Sequence, residues 1–209
     1  MKNKSKRLQN KGFTLTELLV GAALAGVVIA FLGYGLVALL GQDRNTQSNG
    51  ERSVEIDRAL GYLSGDIRET KSISLPTGYT ISGSGCEIRT PVLYLKNPDN
   101  SNTIYYIRDI SACTGSEWYK PNVLHRVGPP GTSPADPPTS FSSSLGNVLL
   151  DGLQDPIGGF SCTTGTQTGT KGFYACIESP RSVTVHIFGR GSKGETMPVQ
   201  STRVAVRGR

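Results

Sequence analysis

The chain has 209 residues, room for one domain with a core of its own plus a membrane segment. Its formal charge of +6 fades as a sign of nucleic-acid binding once it is mapped. Lys2, Lys4, Lys6, Arg7 and Lys11 all precede the first apolar run, and the rest of the chain carries 17 basic and 16 acidic residues. Four cysteines without a C-x-x-C, beside only two histidines, argue against a zinc cluster.

After the basic tail comes KGFTLTELLVGAALAGVVIA, and no residue between 18 and 40 is charged. Residues 13–40 as a helix measure about 42 Å, more than the ~30 Å hydrocarbon core requires. Basic residues ahead of such a segment stay in the cytoplasm, which places everything after Leu40 outside it. Three accounts compete for this N-terminus. A secretory signal peptide has its small-residue site at Ala23-Leu24-Ala25, but the apolar run continues to Leu40 and an acid, Glu17, interrupts the proposed core. A plain single-pass anchor fits the length. Processing between Gly12 and Phe13 explains the basic leader, the glycine and the glutamate together. A charge in hydrocarbon costs roughly 2.5–3.5 kcal/mol and usually marks function. Glu17 lies only about 6 Å into the run, however, so a headgroup position without a role is the bland alternative.

The stretch KGFTLTELLV resembles the processing motif of type IV prepilins and type II secretion pseudopilins. The resemblance implies cleavage after Gly12 by a prepilin peptidase on the cytoplasmic side and methylation of the new Phe13 amine by the same enzyme. It also gives Glu17, at the fifth mature position, the task of neutralising the amino terminus of a neighbouring subunit. Phe13 and Glu17 are four apart, so an intrachain pair is open as well. The implied partners are other pilins or pseudopilins, met through the N-terminal helix, and an inner-membrane assembly platform. Gly21, Gly26, Gly33 and Gly35 allow helices to approach closely, at up to ~1 kcal/mol each of helix stability relative to alanine. No proline interrupts residues 13–40.

Beyond Leu40 the pattern turns amphipathic. Ile56, Leu60, Leu63 and Ile67 share one helix face, while Asp57, Asp66 and Arg68 lie off it and read as solvated. One helix from Phe13 to about Lys71 is expected, loosened at Asn49-Gly50. Strands are expected over 87–96, 103–109, 123–127, 172–177, 183–189 and 204–207. NPDNSN (97–102) reads as the turn between the first two. A calcium reading of Asp99, Asn100 and Asn102 lacks the spacing of a known loop. Residues 128–144 form a Pro/Ser-rich spacer loop. Cys86, Cys113, Cys162 and Cys176 all fall in the outward part and fit two disulfides. Cys86–Cys113 with Cys162–Cys176 closes two local loops, and the other two connectivities stay open.

The expected fold is therefore α+β and pilin-like: a hydrophobic, then amphipathic N-terminal helix packed on an antiparallel β-sheet head. Its parts are a removable leader (1–12), a transmembrane or filament-core helix (13–40), an amphipathic continuation (41–71) and a β-rich extracytoplasmic head (72–209). A weaker resemblance, in LSGDIRETKSI, TIYYIRD with VLHRV, and TRVAVRGR, is to PilW-class minor pilins and J-type pseudopilins.

Enzyme and nucleic-acid readings find less. GRGSKG (189–194) satisfies G-x-G-x-x-G but follows a strand without opening a helix, so a hairpin turn is expected. His125 and His186 sit in strand-like runs with no nucleophile or acid at a recognisable spacing. Arg203, Arg207 and Arg209 make at most a small patch for DNA, and Trp118 and Tyr119 are too few for a stacking platform. The resemblance, the size of the head and its two expected disulfides point to a minor pilin, and the residues themselves propose no catalytic site, metal or cofactor. A type II secretion pseudopilin is the alternative, and a membrane-anchored binding module that never polymerises is the alternative of another class.

Overall fold

The computed structural model describes residues 14–77, 86, 88–128, 147–191 and 193–207. The leader, the Gly12/Phe13 junction, most of the 128–144 loop and Arg209 lie outside the described residues. The chain divides into two compact units, Met1–Thr46 and Gln47–Arg209. Helix α1 runs Leu15–Glu69 and supplies residues to both.

In the first unit the helix carries no charged residue between 18 and 40. Leu18, Leu24, Val28, Phe31 and Tyr34 are exposed, and the segment Leu15–Val37 is long and apolar enough to cross a membrane. A Cβ added at Gly21, Gly26, Gly33 or Gly35 meets nothing within 4 Å, so no packing among the described residues calls for these glycines.

In the second unit the expected face is buried. Ile56, Leu60, Leu63 and Ile67, joined by Ala59, form one core cluster with two antiparallel sheets. The first sheet has five strands in chain order: β1 (Ser72–Ser74), β2 (Ile88–Lys96), β3 (Asn102–Asp109), β4 (Asn122–Val127) and β5 (Asn147–Leu153). The second has β6 (Thr166–Thr170), β7 (Phe173–Ser179), β8 (Ser182–Ile187) and β9 (Gln200–Ala205), again in chain order. Leu93, Leu95, Tyr105 and Leu124 from the first sheet meet Phe173, Val185 and Ile187 from the second in that cluster. Both sheets are meanders, so each pairing is made with the neighbour in sequence and loop closure costs little.

Local chemistry explains several connections. The β2–β3 turn is closed by Asn97 N–H donating to the Ser101 carbonyl at 2.8 Å, and Asp99 Oδ1 accepts from Ser101 N–H at 2.9 Å. The β6–β7 turn places Lys171 and Gly172 both at positive φ (56° and 91°), the requirement of a two-residue hairpin loop. At Gly152 (φ 59°) a Cβ would stand 2.0 Å from Arg52 Nη2, so only glycine admits that guanidinium. The glycine-rich 189–194 stretch is a turn: Gly191 N–H donates to the Glu195 carbonyl at 2.7 Å, and Arg190 bridges Thr196. Cys86 is bonded to Cys113 and Cys162 to Cys176, each a local closure.

Two polar clamps fix the helix at the ends of its apolar face. At one, Arg52 Nη1 meets Asp151 Oδ1 at 2.8 Å and Nη2 donates to the Asp151 carbonyl at 2.7 Å. Asp151 Oδ2 accepts from Tyr119 N–H, and the Tyr119 ring lies 5.2 Å from the Arg52 guanidinium and 5.6 Å from that of Arg190. At the other, Asp66 Oδ2 accepts from Tyr105 Oη and Arg126 Nε, both at 2.6 Å. Burial first, and the Asp66 charge second, push the Tyr105 hydroxyl far above its ordinary pKa, so it stays a donor.

The structure corrects four expectations. Asp66 is not a solvated residue, because its partners come from β3 and β4. The helix is not loosened at Asn49-Gly50: it is continuous there, spanned by Gln47 to Glu51 at 3.3 Å and steadied by Asn49 to Glu195 at 3.1 Å. The last strand is Gln200–Ala205 instead of 204–207, since Ile187 pairs back to Gln200. Strands β1, β5 and β6 were not expected: Ser-Ile-Ser is short, and Thr-Gln-Thr-Gly-Thr carries no apolar alternation.

Two outcomes follow from this packing. Asp66→Ala strands a buried guanidinium (side chain 7% exposed) and a buried phenol. It is expected to cost about 3 kcal/mol, the lower end for removing one partner of a buried pair, in urea unfolding of the full-length protein in detergent. His186 packs 4.6 Å from Phe160, and burial lowers its pKa from the usual 6.5. The unfolded chain therefore takes up this proton first. The contribution is complete above about pH 6.5 and is lost as pH falls through the lower folded value. His186→Phe should flatten that part of the stability profile, read as the thermal midpoint between pH 7 and the carboxylate range.

Candidate functional site

The candidate site begins where α1 begins. Thr14 is the N-cap residue: its Oγ1 accepts from Glu17 N–H at 3.3 Å. Glu17 Oε2 returns the contact, accepting from Thr14 N–H at 3.1 Å and from Thr14 Oγ1 at 3.0 Å. Thr14-Leu15-Thr16-Glu17 is thus a capping box, in which two of the helix's free N–H donors are satisfied reciprocally. The S/T-x-x-E signature is plain in the sequence. Taken as a lone charge in an apolar run, Glu17 hides this local role.

The carboxylate sits in the first turn, where the helix dipole favours an anion. Only Oε2 is engaged, and Oε1 takes no hydrogen bond among the described residues. Glu17 can therefore cap its own helix and still present an oxygen to a cation. Phe13, whose amine is the expected partner, lies outside the described residues, as does Gly12. The neighbouring Leu15, Leu18 and Leu19 are exposed, leaving the carboxylate on an apolar surface without cover from the described residues.

The head brings together no catalytic constellation among the described residues. His125 is buried and stacked on Tyr106 at 5.0 Å, and His186 belongs to an aromatic cluster with Phe160 and Tyr174. No group of three or more His, Cys, Asp or Glu able to hold a metal occurs among the described residues. A cleft of about 340 Å³ is lined by Ser48, Glu51, Arg52, Glu55, Tyr119 and Arg190, and the Arg52 guanidinium in it is held by the first clamp.

The family model for the prokaryotic N-terminal methylation motif matches residues 7–33. That span holds the end of the basic leader, the Gly12/Phe13 junction, Glu17 and most of the apolar helix. This match supports a type IV prepilin-like protein, a pilin or a pseudopilin. Such a motif implies processing by a prepilin peptidase and partners of the pilin type. With the apolar helix Leu15–Val37, it also indicates membrane anchoring. No curated protein and no solved structure matches the chain significantly.

Proposed function

We propose that the protein is a minor pilin of a type IV pilus. Its precursor sits in the inner membrane with the leader inside and the head outside the cytoplasm. The peptidase cleaves after Gly12 and methylates Phe13, and the mature subunit then enters or primes a filament on the assembly platform. One observation carries this reading: the methylation motif runs into the helical segment Leu15–Val37, whose large apolar side chains are exposed among the described residues. Sister helices in a filament core would cover that surface, and the four open glycines suit close approach. Glu17 would then accept the Phe13 ammonium of a neighbour on Oε1 while retaining its cap on Oε2.

The head supports the minor-pilin choice through its size, its two disulfides, which suit an oxidising compartment, and its short PilW-like stretches. A type II secretion pseudopilin carries the same motif and is the second reading. The role is structural in either case, with no chemistry assigned to the head.

Two substitutions separate the cap from the charge. Glutamine can occupy the same capping position but is neutral, whereas alanine loses both functions. Both Glu17→Gln and Glu17→Ala should insert and be cleaved normally. Both should fall in abundance in sheared filaments by at least about 100-fold, since stranding one charge of a low-dielectric pair costs about 3 kcal/mol or more. Normal incorporation of Glu17→Gln would rule out the charge-pair role.

A further inference from the structure

At the end of the head where α1 stops, a cleft of about 420 Å³ is lined by four cationic side chains from separate parts of the chain. Arg68 comes from the last helical turn, Lys71 from the link to β1, Arg181 from the β7–β8 turn and Arg207 from the tail after β9. Backbone bonds hold these segments together. Arg207 N–H donates to the Arg68 carbonyl at 3.0 Å, Lys71 N–H to the Lys96 carbonyl at 2.6 Å, and Val206 N–H to the Arg181 carbonyl at 2.9 Å. All four side chains are exposed, and none takes part in an ion pair or a side-chain hydrogen bond among the described residues.

Helix-dipole compensation accounts for Arg68 alone, because the other three belong to other elements. Gathering like charges around one cleft disfavours the folded state, and here the backbone enforces it. Four other cations of the head are paired with carboxylates: Arg52 with Asp151, Arg126 with Asp66, Lys171 with Asp109, and Arg203 with Glu178. Four exposed cations gathered at one cleft, with no ion pair among the described residues, are complementary to a negatively charged group outside the chain.

We propose that this cleft is a docking site for an acidic segment of a partner protein, whose carboxylates the three arginines and Lys71 receive. A carboxylate-bearing protein is favoured over a nucleic acid for three reasons. Glu69 stands in the wall, where it would repel a run of phosphates but can meet a cation on a partner of mixed charge. Pro98 and Val206 give the wall an apolar part suited to side chains. Outside the leader the chain is near charge balance, so it lacks the broad basic field that polyanion binding uses. The choice of a protein partner rests on the filament reading, but the readouts are separate: that reading is tested by Glu17 variants in filaments, this one by binding to the isolated subunit.

The test is fluorescence anisotropy of a labelled glutamate-rich peptide containing one lysine, the cation that Glu69 would meet, with the full-length processed protein in detergent at low salt. The Arg181→Glu/Arg207→Glu pair should weaken binding about 100-fold, at roughly tenfold for each charge-assisted hydrogen bond removed. The neutral pair Arg181→Gln/Arg207→Gln should weaken it in the same direction. Arg58→Glu, an equal kind of charge reversal on a helix position outside the cleft, should change it little. The proposal is overturned if the peptide does not bind, or if Arg58→Glu costs as much. It is also overturned if a short DNA duplex binds more tightly than the peptide and loses affinity with the same paired substitutions.

Discussion

The head is organised by one apolar seam, the face of α1 carrying Ile56, Leu60, Leu63 and Ile67, which is buried in a cluster drawn from both sheets. The helix joins the two meanders in one cluster, because an apolar sheet face needs a second layer to cover it. Burying a side chain of this size is worth about 1.5–3 kcal/mol, so the seam is a large fraction of a typical domain's net stability. The clamps at Arg52–Asp151 and Asp66–Tyr105–Arg126 add less to stability than to register. A slide of the helix by one turn would leave charges buried without partners, a cost several times that of a surface contact.

The beginning of the same helix obeys a different constraint. There no residue between 18 and 40 is charged, and the polar group that matters is one carboxylate. Glu17 first answers a local need, since the opening N–H groups of any helix lack intrahelical partners. That use engages one oxygen and the adjacent threonine, leaving the second oxygen on an otherwise apolar surface. A group already held in place loses less entropy when a cation arrives than a free glutamate would. Capping engages one oxygen, and the proposed charge pairing would use the other.

How much of this was legible beforehand depends on the range of the interaction. The seam could be read because helical spacing is local, and β8 because Val183, Val185 and Ile187 alternate in burial as they do in sequence. The processing motif is likewise a contiguous stretch. Asp66 could not be read as a clamp, because its partners lie 39 and 60 residues away and nothing near it announces them. Strand β6 has no apolar payload of its own; its place follows from the Lys171-Gly172 turn and pairing to β7. Disulfide pairing is a property of the folded geometry, so four cysteines left three answers until the strands were in place. The cationic cleft was invisible for the same reason: Arg68, Lys71, Arg181 and Arg207 are brought together only by the backbone bonds that close the end of the head.

The central claim, that this chain is processed as a prepilin and becomes a filament subunit, turns on the chemistry of its first mature residue. The most direct measurement is the mass of the N-terminal peptide from the protein recovered from cell membranes. The account predicts a peptide that begins at Phe13 and carries one methyl group on its amine. A peptide beginning at Gly26, or one retaining the leader from Met1, would contradict it and leave Glu17 with the cap to Thr14 as its whole role.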